Sequence, residues 1–136
     1  MDAAGLRTFG AKYTAAWCSQ EAATVAAFHA ESGSLKINEA RPSVGRTAIT
    51  AAAQGFMTAF PDMVVAMDDV SLQADHAVYR WTLTGTNTGP GGTGKAVRIS
   101  GCEEWTFGRD GLIAESRGHY DESAYEHQLN GGNVGK

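Results

Sequence analysis

The chain has 136 residues, of which 43% are hydrophobic and 19% charged, with a net charge of -4 at pH 7. That balance predicts one globular domain large enough to bury a core, and excludes a disordered chain. No basic run is present, so a nucleic-acid partner is not expected. No apolar stretch approaches the roughly 18 residues of a membrane span, and no secretory leader is apparent, so a cytoplasmic protein without a membrane partner is expected.

Leu6, Phe9, Tyr13 and Trp17 recur at spacings of three and four, which predicts a helix over 3–18 with an aromatic stripe. Ser19 is placed to cap a second helix from Gln20 to about Ala30, ended by Gly33. Residues 34–38 alternate as a short strand, and 41–45 read as a loop. A third helix is expected from Arg46 to Ala59, closed by Pro61-Asp62; Ile49, Ala52, Phe56 and Phe60 lie on or near one face.

From Met63 the period changes to two. Strands are expected over 63–73, 76–88, 96–109 and 112–120, with Asp68-Asp69 a bulge or bend in the first. Asp110-Gly111 predicts a two-residue hairpin turn. Asp121 suits the N-cap of a last helix, Glu122 to Leu129, with Gly131-Gly132 ending the ordered part, about 3–130. No repeat or linker divides the chain, so 1–136 reads as a single domain. Helices segregated from an antiparallel sheet define an α+β fold. The expected form is a cone: a curved antiparallel sheet, three N-terminal helices on its concave face, and a short C-terminal helix.

The last two strands carry the chemistry. Val97, Ile99, Gly101, Glu103, Trp105 and Phe107 share the face expected to point inwards. In the final strand, an inward Ile113 brings Glu115, Arg117, His119 and Asp121 with it. The opposite parity brings Leu112, Ala114, Ser116, Gly118 and Tyr120 inwards and leaves the charges on a wet face. Under the first parity, ionisable groups line an otherwise apolar cavity, where burial tunes carboxyl and imidazole pKa values for proton transfer. Tyr13, Trp17, Phe56, Met57, Phe60, Trp81 and Trp105 are then candidate pocket walls, with core packing as the competing role for the helical members. Of the remaining histidines, His29 is assigned to a helix, His76 to a turn and His127 to the terminal helix. Cys18 and Cys102 read as reduced thiols packed as small hydrophobes. The glycine-rich segment 89–94 lies between strands and lacks the context of a phosphate loop. There is no G-x-S-x-G elbow and no His/carboxylate array with metal spacing, so neither metal nor cofactor is expected.

Three segments carry a family resemblance: 54–62 (Gln54-Gly55-Phe56-Met57-Thr58-Ala59-Phe60-Pro61-Asp62), 80–89, and Trp105 through Glu115 continuing to Tyr120-Asp121. Their order and spacing resemble the nuclear-transport-factor-2-like superfamily and, within it, the SnoaL-like polyketide cyclases. The resemblance implies a homodimer through the open sheet face and a pocket between sheet and helices. In the cyclases an Asp at the end of the last strand is the acid/base of an intramolecular aldol closure, and Asp121 matches that position. The family's assisting His has no counterpart here: Asn87 stands where many members carry it, and His119 is the nearest substitute. The superfamily's ketosteroid isomerases and limonene-type epoxide hydrolases also work by carboxylates in an apolar cavity; for the hydrolase set, Asp121 and Arg117 are present and Glu103 or Glu115 is the third member.

The expected function is therefore a cofactor-free acid/base enzyme acting on a small apolar or polycyclic molecule, of the cyclase, isomerase or epoxide-hydrolase type. Asp121, His119 and Glu103 are the catalytic candidates, and Glu115 and Arg117 join the aromatic residues in binding. A ligand-binding module without chemistry and a purely structural dimer are the other readings.

Overall fold

The computed structural model describes residues 1–131; Gly132, the second glycine of the expected terminus, lies outside the described residues. Helix α1 spans Ala3–Cys18 and α2 Ala22–Ala26. Strands β1 (His29–Ile37) and β2 (Ser43–Val44) precede α3 (Arg46–Ala59). Strands β3 (Val64–Leu72), β4 (Ala77–Thr86), β5 (Ala96–Phe107) and β6 (Ile113–Tyr120) follow, and α4 (Glu122–Leu129) closes the chain. The class is the expected α+β, with one six-stranded sheet in the order β2-β1-β6-β5-β4-β3.

Local chemistry explains most boundaries. Asp2 caps α1, its Oδ1 accepting from Gly5 N at 2.8 Å. The buried stripe of α1 is Leu6, Gly10, Tyr13, Ala16 and Trp17, and that helix packs across β3. In α3, Ile49, Ala53 and Met57 are buried at a spacing of four, one face of a helix. Asp121 caps α4, with Oδ1 accepting from Ala124 N at 3.0 Å.

Several expectations are corrected. The second helix stops at Ala26, and His29 opens β1 instead of ending a helix. Strand β1 runs parallel to β6, so the sheet is not antiparallel throughout. Gly33 lies inside β1, where an added Cβ would sit 2.8 Å from the Ile113 carbonyl oxygen; only glycine permits that approach. The turn between β5 and β6 has three residues, 109–111, closed by Gly108 N donating to Leu112 O at 2.8 Å, and Gly111 takes the left-handed conformation at φ 76°. The two thiols are free, but Cys18 is exposed and Cys102 only partly buried, so neither packs into the core.

Two bulges shape the sheet. One falls between Met67 and Asp69, at the expected Asp68-Asp69 position. The other places both Ile113 and Glu115 against consecutive β5 residues, Phe107 and Thr106, leaving Ala114 as the extra residue. A bulge resets side-chain alternation. Ile113 points inwards before it, and Ser116 and Gly118 point inwards after it.

Candidate active site

The bulge at Ala114 decides which side chains of β6 reach the interior. Glu115, Arg117 and His119 are exposed, so their expected inward orientation is corrected: all three lie on the outer face. There the His119 Nε2 meets Glu104 Oε2 at 2.8 Å, and the other Glu104 oxygen lies 3.9 Å from His76 Nε2. Asp121 is exposed as well, with its carboxylate occupied as the α4 cap. Among the described residues, no group of three or more His, Cys, Asp or Glu side chains is placed to hold a metal ion.

Glu103 alone of the three catalytic candidates points inwards. It lies in the middle of β5 and is only 7% exposed. The Tyr13 hydroxyl donates to its two oxygens at 2.9 and 3.1 Å. Trp105 Nε1 donates to Oε1 at 2.9 Å, and Ser116 Oγ donates to the same oxygen at 2.7 Å. Thus α1, β5 and β6 each supply a neutral donor to one carboxyl group. None of the ion pairs among the described residues includes Glu103.

Burial pushes the Glu103 carboxyl above its ordinary value, and the donors from Trp105, Ser116 and Tyr13 oppose that shift without cancelling it. Burial also holds the Tyr13 phenol well above its usual range, reinforced by the Glu103 charge. Tyr13 therefore acts as a hydrogen-bond donor throughout the neutral range.

Glu103 opens onto a cavity of about 60 Å³. Of the expected walls, Trp17, Phe56 and Trp81 line it. Tyr13 and Trp105 stand behind Glu103, and Met57 and Phe60 belong to the core. Tyr79, Tyr120, Leu35, Ile37, Val65, Leu83 and Ile99 line the cavity too, though sequence reading did not select them. For Tyr79, Leu83 and Ile99 the signal was available, since each shares strand parity with Trp81 or Glu103. Tyr120 and Ser116 were on the face that the bulge turned inwards. His119 is also among the lining residues, with its ring paired to Glu104 on the outer face.

Gly101 makes room for one wall of the cavity, Trp81. A Cβ there would overlap the His119 carbonyl oxygen and lie 2.6 Å from Trp81 Cζ2. The Trp81 ring occupies that space and packs edge-on against Tyr120, with centroids 6.2 Å apart. Trp17 and Phe56 form a similar pair at 6.3 Å. Phe56, Trp81, Tyr120 and Ile37 are only partly buried and make the rim. The arrangement is a buried carboxyl group at the wall of a largely apolar, aromatic cavity.

A model of the SnoaL-like polyketide cyclases matches residues 8–129. Among curated proteins, none matches the chain. Among solved structures, TsrD from Streptomyces laurentii superposes with a TM-score of 0.81 at 20% identity, over 95% of this chain and 97% of that one. A protein from Catenulispora acidiphila DSM 44928 with a ketosteroid isomerase-like fold, solved with trimethylamine, gives 0.77 at 15% identity over 90% and 92% of the two chains. The epoxide hydrolase/cyclase-like enzyme SalBIII, with a role in pyran ring formation in polyether salinomycin, gives 0.77 at 14% identity over 90% and 95%. At such identities the likeness is one of fold. No described helix is long and apolar enough to cross a membrane. The family model spans nearly the whole chain, and the protein belongs to the SnoaL-like polyketide cyclase family.

Proposed function

We propose that the protein is a small-molecule enzyme working by cofactor-free acid/base catalysis, with Glu103 as the group that gives and takes the proton. One observation carries this reading: a buried carboxyl, held by three neutral donors and no cation, at the wall of an otherwise apolar cavity. A raised carboxyl pKa brings the protonated and ionised forms closer together near neutral pH, as general acid/base catalysis needs. Tyr13, Trp105 and Ser116 stabilise the anion when the proton leaves, and they fix the carboxyl plane. They are positioning residues in this reading. His119 and Asp121 stand outside the mechanism.

The cavity bounds the substrate. At about 60 Å³ it is a small cavity. The volume favours a small, largely apolar substrate, and the partly exposed side chains of Phe56, Trp81 and Tyr120 are where a larger one would extend.

Two small probe reactions test the two directions of proton transfer: α-proton exchange of cyclopentanone in heavy water, and hydrolytic opening of cyclopentene oxide. The wild-type protein is expected to accelerate at least one of them over buffer. Glu103→Gln is expected to lower that rate by about 100-fold or more while circular dichroism is unchanged. A folded variant as fast as wild type overturns the reading, as does a wild-type protein no faster than buffer in both.

A further inference from the structure

The charge that this cavity suits follows from what lines it. Among the described residues that line the cavity, Glu103 is the one carboxylic acid, and the His119 ring is held by Glu104 on the outer face. Among the described residues, no Lys or Arg lines the cavity. Tyr13, Trp105 and Ser116 donate to Glu103 and the Tyr79 hydroxyl pairs with Thr14, which leaves the Tyr120 hydroxyl and Trp81 Nε1 as neutral donors of the lining. Trp17 Nε1 has no partner among the described residues, but it is buried with under 1 Å² of accessible surface and presents no N–H to a ligand. The described lining therefore offers an anion neutral donors only, with no cationic side chain to balance its charge.

The walls favour the opposite sign. Trp17, Phe56, Tyr79, Trp81 and Tyr120 all line the cavity, so an occupant lies beside aromatic rings. A cation within about 6 Å of an aromatic centroid is attracted by the ring's negative face, most strongly where water is excluded. An ionised carboxylate in a low-dielectric site lacks a counter-charge here, and a cationic ligand supplies it.

We propose that the Glu103 cavity takes a small amine in its ammonium form, with the carboxylate as counter-ion and the aromatic residues as cage. The inference rests on Glu103 being the polar group of the pocket, and it adds the chemical class of the ligand.

The test compares two probes of nearly equal shape, trimethylammonium chloride and neutral tert-butanol. Each is titrated into the full chain at constant ionic strength set with potassium chloride. The indole fluorescence of Trp17 and Trp81, both in the lining, reports occupancy, and calorimetry checks it. The expected result is saturable binding of trimethylammonium at least 10-fold tighter than tert-butanol. Glu103→Gln is expected to remove at least 10-fold of the trimethylammonium affinity and to leave tert-butanol unchanged, and Asp121→Asn to change neither. Equal affinities for the two probes, or no saturable trimethylammonium binding, overturn the inference. The acid/base reading fails separately, through the probe reactions, if Glu103→Gln keeps full turnover.

Discussion

Two carboxylates, Asp121 and Glu103, end up in opposite environments although both stood among the candidates. Asp121 is exposed, and its Oδ1 accepts from Ala124 N at 3.0 Å. That hydrogen bond satisfies an otherwise free amide at the α4 N-terminus. Asp121→Ala is expected to cost about 1 kcal/mol in urea unfolding. Asp121→Asn is expected to cost almost nothing, because Asn also caps. Both variants should keep whatever turnover the probe reactions show. If Asp121→Asn unfolds like wild type yet loses turnover, Asp121 acts in catalysis as its family position implies, and Glu103 is not sufficient. The cap was legible from the sequence, because N-capping depends on a residue and its next few neighbours. Glu103 was legible as inward, but its partners were only partly so. Ser116 reaches it because of an event two residues earlier in β6.

That event belongs to the scale of the element. Alternation in 112–120 fits either face, and the sequence around Ala114 carries no glycine or proline to mark a break. The bulge there turns Ser116 inwards and Glu115, Arg117 and His119 outwards. Where a signal is local, the reading and the structure agree: α3 spans Arg46–Ala59 and α4 Glu122–Leu129 in both. Where a distant strand intervenes, they part. Residues 29 and 30 were expected to extend a helix, yet His29 pairs with Ile113 of β6. Gly101 is the clearest case of an element fitted to the site, since β5 leaves a gap that Trp81 fills. Gly101→Ala is expected to destabilise the fold by about 1–3 kcal/mol, through overlap with β6 backbone and displacement of the indole. Urea unfolding measures the cost, and a shift in native-state tryptophan emission reports the displaced ring. An unchanged midpoint and spectrum would mean that β6 moves aside freely at His119.

At the scale of the whole molecule, two buried titrating groups pull stability in opposite directions. His29 is fully buried, its Nδ1 donating to the Val25 carbonyl at 3.2 Å while Nε2 has no partner among the described residues. Burial pushes its pKa down to about 4. Between that value and the unfolded value of about 6.5, the unfolded chain binds one more proton than the native one, so stability rises with pH. Glu103 has the reverse sign. Its native pKa is raised by burial, so above the unfolded value of about 4.3 the native state binds the extra proton and stability falls as pH rises towards the native value. Where the windows overlap the two slopes offset each other, and each is at most about 1.4 kcal/mol per pH unit. Just above about pH 4.5, where both groups contribute, the wild-type protein is expected to show a shallower dependence in urea unfolding than either single variant. Glu103→Gln exposes the His29 slope, with stability climbing as pH rises. His29→Gln exposes the Glu103 slope, with stability falling. The double variant returns to a shallow curve, apart from small contributions of exposed carboxylates such as Asp62, whose pKa is lowered by the Thr86 amide. A Glu103→Gln curve parallel to wild type would mean that Glu103 titrates in the folded protein as it does in the unfolded one, and the buried carboxyl on which the proposed chemistry depends would lose its physical basis.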